Sequence, residues 1–241
     1  MKHFILRARE LRTYLPFGVL AIVGALSLGA TARAADLSGS AALTSDYVWR
    51  GTTQTQGDAA VQAGFKLASE SGFYGSVWGS NVEFAPETHA SSELDFTVGW
   101  GGEIAPNWAL DVNLLRYQYP STTVDLNWTE LNGTVTYAGN YWLSLGYSPE
   151  ALGSDEDGLY TQLGAKFPIN DVFRIEAAAG YYYLEDIYGE SYLHGQLSAV
   201  WTVKAPLELR VTAHATDSNA EDIFGKDFAG DRIEAAVQAS F

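Results

Sequence analysis

Three pairs of opposite charges stand two residues apart: Arg174 with Glu176, Glu208 with Arg210, and Arg232 with Glu234. Two residues is the side-chain repeat of a β-strand, so each pair falls on one strand face. Asp46, Lys66, Asp95, Glu130 and Lys166 fall on the same parity of their own segments, and Arg116 joins them beside a slip in the alternation. Charges so arranged support either of two things. One is a transverse field across a water-filled passage that orients solutes; the other is a salt-bridge network that fills a narrow interior. Acid–base and nucleophilic chemistry has less to draw on. After residue 34 the histidines are His89, His194 and His214; there is no cysteine and no G-x-S-x-G signature. His89 falls in a connection, and His194 and His214 share the parity of the charges. No cofactor is expected, and neither acidic loop has EF-hand spacing: the twelfth position counted from Asp155 is Lys166, and from Asp217 it is Phe228.

Such faces require strands, and the last eleven residues show one plainly. Phe241, Ala239, Val237, Ala235 and Ile233 alternate with Ser240, Gln238, Glu234 and Arg232. The same period predicts a first strand from Leu37 that continues to Tyr47 and Trp49. Others follow at Val61–Leu67, Phe73–Asn81, Glu93–Trp100, Trp108–Tyr119, Asn127–Tyr137, Tyr141–Tyr147, Leu159–Phe167, Phe173–Tyr183, Tyr192–Val203 and Leu207–Thr216. With the closing strand that makes twelve. In the fifth, the apolar parity slips from Leu110, Val112, Leu114 to Leu115, Tyr117, Tyr119, which predicts a bulge. Short turns and longer polar loops alternate along the chain. The expectation is an all-β, transmembrane antiparallel up-and-down β-barrel of about 12 strands, with both ends of the barrel segment on the short-turn side. Rings near strand ends (Tyr47, Trp49, Trp100, Trp108, Tyr117, Tyr119, Tyr137, Tyr141, Tyr147, Phe167, Phe173, Tyr181, Tyr183, Trp201, Phe241) are expected to form girdles at two membrane interfaces.

A basic start (Lys2, Arg7, Arg9, Arg12), an apolar run from Phe17 to Ala30 and the A-x-A triplet Ala32, Arg33, Ala34 predict a secretory signal peptide at 1–34. The barrel then occupies 35–241. The formal charge is −15; residues 1–34 hold five basic residues and one acid, so the remainder carries nine basic against 28 acidic residues, a net of −19. Nucleic acid and the anionic cytoplasmic membrane face both need a basic surface and are excluded as partners. The six long loops hold 15 acids against Arg50 and Lys226, a field that concentrates cations at one mouth.

Three stretches carry a resemblance: Ser45, Asp46, Tyr47, Val48, Trp49, Arg50, Gly51 with Thr53 and Gln54; Gly72, Phe73, Tyr74 through Trp78, Gly79, Ser80, Asn81; and Tyr117, Gln118, Tyr119, Pro120 followed by Asn127, Trp128, Thr129, Glu130, Leu131. In that order they resemble the TorF-type putative porin family of proteobacterial outer-membrane proteins. The resemblance implies a barrel that passes solutes, with no catalytic residues to carry over.

The expected function is an outer-membrane porin-like channel for passive diffusion of small hydrophilic solutes, leaning towards cations, after Sec-type export. Its expected partners are outer-membrane lipid and lipopolysaccharide, and the barrel-assembly machinery through the strand ending in Phe241. The expected lining is Asp46, Lys66, Asp95, Arg116, Glu130, Lys166, Arg174, Glu176, Glu208, Arg210, Arg232 and Glu234. The alternatives are a plugged structural or surface-display barrel and an outer-membrane barrel hydrolase.

Overall fold

The computed structural model describes residues 35–241; the expected signal peptide, residues 1–34, lies outside them. The strands in chain order are β1 (Asp36–Thr44), the two-residue β2 (Val48–Trp49) and β3 (Thr52–Thr53), β4 (Ala60–Ala68), β5 (Phe73–Asn81), β6 (Ser92–Ala105), β7 (Trp108–Gln118), β8 (Trp128–Tyr137), β9 (Tyr141–Ser148), β10 (Gly158–Pro168), β11 (Phe173–Tyr183), β12 (Tyr192–Lys204), β13 (Leu207–Thr216) and β14 (Arg232–Ser240). Two short helices, α1 (Glu185–Tyr188) and α2 (Ser218–Phe224), lie in the longer connections. β1 and β4 to β14 form one closed antiparallel barrel of twelve strands, as the alternation predicts. β1 closes it, pairing with β4 along its whole length and with β14 from Ser40 to Thr44.

Closure decides what the period-two pattern means. In a single closed sheet one face lines the interior and the other meets the surroundings, so no second layer covers the apolar face. Leu37, Val61, Val98, Leu163 and Ile233 are accordingly exposed, each above 60 %. Phe241 extends the closing seam past the assigned end of β14. Its N–H donates to Gly39 O at 2.9 Å, Gly39 N–H donates to Phe241 O at 2.6 Å, and its ring covers Gly39, where a Cβ would come within 2.8 Å of it.

The structure corrects the sequence reading at three places. First, β7 has no bulge at Leu114 and Leu115. Its pairing with β6 runs unshifted from Leu94 opposite Gln118 to Glu103 opposite Ala109, and shifts occur instead at Glu103/Ala105 and Thr202/Lys204. The apolar residues change face while the backbone does not: Leu115 and Tyr117 point inward into a cluster with Trp128 and Val82. Second, β1 stops at Thr44. Residues 45–59 turn inward, with β2 and β3 paired as a small hairpin of their own. Third, only part of the expected girdle faces outward. Trp100, Trp108, Tyr137, Tyr141, Phe167, Phe173, Trp201 and Phe241 do so near the turns, and Tyr147, Tyr181 and Tyr183 near the loops. Tyr47, Trp49, Tyr117 and Tyr119 pack inside instead, because the inner surface at the loop end is itself apolar.

Candidate functional site: the barrel lumen

Near the turns, one wall of the lumen carries a connected ion network. Arg174 on β11 donates from Nε to Glu176 at 2.7 Å and from both terminal nitrogens to Glu208 on β13 at 2.5 and 2.8 Å. Arg210 reaches the other Glu176 oxygen at 2.8 Å, and Thr202 and Gln238 donate to Glu208 at 2.9 and 3.0 Å. Lys166 stands inward on β10 opposite Glu176 in the register. Bidentate arginine contacts and added hydroxyl and amide donors fix these charges in direction as well as in place. On β4, β5 and β7, Lys66 Nζ sits 3.5 Å from the Tyr74 ring centroid, and Tyr74 and Asn113 each donate to Asp111 at 2.8 Å.

The loop end is built around the 45–59 connection. The Asp46 carboxylate accepts from the Thr53 hydroxyl, from Thr55 at 3.1 Å and from Arg232 of β14 at 3.0 Å, so it folds the hairpin and ties it to the wall. The hairpin carries Trp49 into the lumen, where it meets Tyr117, Trp128 and Tyr182 edge-on at 6.0 to 6.1 Å. Arg50 extends across to β8. Its Nη2 donates to both Glu130 oxygens, at 2.8 and 2.9 Å, while the guanidinium carbon lies 4.3, 3.9 and 4.7 Å from the ring centroids of Trp49, Tyr160 and Tyr182. Burial alone would lower the pKa of this guanidinium; Glu130 beside it outweighs that and raises it, so Arg50 stays charged. Tyr192 donates to the Arg50 carbonyl at 2.9 Å. His214 and Thr44 both reach Glu234, at 3.0 and 2.7 Å, and His194 shares a 2.8 Å hydrogen bond with Tyr160.

Gly51 makes this entry possible. Its φ is +83°, and a Cβ there would meet His194 Cβ at 2.6 Å and Thr216 Cγ2 at 2.8 Å. Gly51→Ala therefore combines a left-handed backbone with a steric overlap, and is expected to cost the hairpin about 1 to 3 kcal/mol. Limited chymotrypsin digestion should show faster cleavage after Trp49 than in the wild type, with the barrel itself intact.

Eleven of the twelve expected lining residues face inward. Arg116 does not. Its register partners Phe96 and Thr129 lie on the outer face, and it bonds to Thr129 at 2.9 Å and to Glu150 at 3.0 Å beside the loops. The misplacement follows from the bulge that β7 lacks. The alternation also carries Glu93 and Asp111 inward, though neither was among the expected residues. Arg50 was assigned to the outer mouth; only the tertiary fold brings it into the lumen. Among the described residues no group of three or more His, Asp or Glu side chains is placed to hold a metal.

Residues 29–241 match the family model described as "Bacterial protein of unknown function (Gcw_chp)". The chain belongs to the Gcw_chp family. The matched model bears that name and not the TorF-type one that the three stretches resemble. No curated protein matches this Gcw_chp chain. Several solved structures share its fold. The KdgM porin, solved in complex with disordered oligogalacturonate, is 9 % identical, with a TM-score of 0.53 over 85 % of this chain and 98 % of its own. The NanC porin is 10 % identical, with a TM-score of 0.53 over 86 % and 99 %. The COG4313 outer membrane channel from Pseudomonas putida F1 is 8 % identical, with a TM-score of 0.52 over 90 % and 98 %. At these identities the likeness is one of fold: the Gcw_chp barrel has the twelve-stranded architecture of these proteins.

Proposed function

We propose that this Gcw_chp barrel is an outer-membrane channel that admits small hydrophilic solutes by passive diffusion and favours cations. One observation carries the reading: the strand charges line the interior, Arg116 beside the loops and Lys204 at the turn end of β12 excepted, while the exterior is an apolar band. An Arg or Lys facing lipid near the midplane costs about 2 to 4 kcal/mol, so this inside-out arrangement suits a bilayer outside and water within. The shared fold with porins, and the resemblance to TorF-type porins, support the same reading. On it, residues 1–34 direct Sec-type export, the terminal strand with Phe241 engages the barrel-assembly machinery, and the acidic loops face lipopolysaccharide and its counter-ions. The acidic loops bias the mouth towards cations, an effect that weakens as salt screens it.

A second reading, a barrel closed by its own loop, is favoured by the Trp49, Tyr117, Trp128 and Tyr182 cluster across the loop end. Conductance of the refolded 35–241 barrel in a planar bilayer under a salt gradient separates the two. The channel reading expects discrete steps with a reversal potential on the cation side. It also expects Arg174→Gln to move that potential further in the same direction, because Glu208 loses its counter-charge and Glu176 keeps only Arg210. Silence from barrels shown by heat-modifiable gel mobility to be closed favours the plug.

A further inference from the structure

Arg50 is held as a ligand is held. The groups that grip its guanidinium from the wall, Glu130 on β8, Tyr160 on β10 and Tyr182 on β11, all belong to barrel strands, whereas Arg50 and Trp49 arrive on the 45–59 connection. Glu130 is 1 % exposed, and it also accepts from the Tyr117 hydroxyl at 3.3 Å. If the connection moved out, the wall would keep a carboxylate flanked by two ring faces. A carboxylate with stacked aromatic rings selects a flat, delocalised cation, since it offers charge, hydrogen-bond acceptors and π-faces together. Among the described residues, neither Nη1 of Arg50 nor the Tyr182 hydroxyl has a hydrogen-bond partner of good geometry. Much of the connection's own bonding is internal, so it can leave as a folded unit once it gives up Arg232 on Asp46, Tyr192 on the Arg50 carbonyl, the Phe228 carbonyl that accepts from Thr53 N–H at 2.9 Å, and the Glu83 N–H that donates to Gln54 O at 2.7 Å. Gln54 N–H donates to Tyr47 O at 2.7 Å, Tyr47 N–H to Thr55 Oγ1 at 3.1 Å, and Asp46 holds Thr53 and Thr55.

We infer that Glu130, Tyr160 and Tyr182 form a binding site for guanidinium-bearing organic cations on the inner wall, which Arg50 occupies as an internal ligand and vacates when the 45–59 connection swings out. That such cations also cross the barrel rests on the channel reading; that they bind does not.

The decisive variant is Arg50→Ala, which empties the site but leaves its walls. Refolded in detergent and checked for closure by gel mobility, it is titrated with methylguanidinium chloride against sodium chloride at equal ionic strength, with tryptophan fluorescence as the reading. The expected result is a saturable change in the millimolar range that is at least tenfold weaker in the wild type, where the tethered side chain competes at high effective concentration. The change is also absent from Arg50→Ala combined with Glu130→Gln. No saturable response in Arg50→Ala, or an equal response in the double variant, overturns the site. A second measurement needs only the wild-type barrel: methylguanidinium, but not sodium, should speed chymotryptic cleavage after Trp49 several-fold by displacing Arg50. An unchanged rate overturns the inference. In a planar bilayer the Arg50→Ala current is expected to fall with added methylguanidinium. Fluorescence binding with no current from any variant keeps the site and removes the channel.

Discussion

Glu130→Ala is expected to destabilise the latched loop end by about 3 to 5 kcal/mol, the range for removing one partner of a buried ion pair. The side chains of Arg50 and Glu130 are 7 % and 1 % exposed, and the guanidinium is surrounded by rings that accept no strong hydrogen bond. Arginine cannot discharge by losing its proton, so an uncompensated Arg50 must leave the lumen and take its hairpin with it. The expected readouts are a large rise in tryptic cleavage after Arg50 and, on the channel reading, longer or larger openings. Glu130→Gln keeps an acceptor and should fall between Ala and wild type. Arg50→Met combined with Glu130→Leu should cost less than either single change, because no charge is stranded. A strictly additive double variant would show that the pair does not hold the hairpin.

The second large effect concerns which side of the wall a charge occupies. Val98 and Thr97 are neighbours in the middle of β6, but Val98 is 63 % exposed on the outer face and Thr97 is on the inner one. Val98→Arg in lipid vesicles is expected to cost about 2 to 4 kcal/mol, which is roughly a 30- to 1,000-fold shift in the folding equilibrium. Thr97→Arg, on the same wall as Asp95 and Asp111, should be tolerated, with a change in ion selectivity as its main effect. Urea titration of both variants in vesicles tests this. Equal stability would mean that the outer band does not face lipid.

Most of the barrel was legible in the chain because a strand's side-chain period is fixed at two and, over most of this closed sheet, the inner face is polar and the outer face apolar. Phe73–Asn81, Phe173–Tyr183 and Leu207–Thr216 could be bounded to the residue, and the parity of Arg174, Glu176, Glu208 and Arg210 was enough to put them on one inner wall. Parity failed where the inside is not polar. At Leu115 and Tyr117 apolar side chains point inward, which from the sequence imitates a bulge and misplaces Arg116. The inward turn of Asp46 to Ala59 was beyond the sequence for a different reason. Its determinants are contacts between residues far apart in the chain: Arg50 with Glu130, Asp46 with Arg232, and Gly51 against His194 and Thr216. Local alternation assigns each residue a face, but only closure of the sheet brings β8, β10, β11 and β14 around one connection and turns Arg50 from a loop charge into the occupant of the lumen.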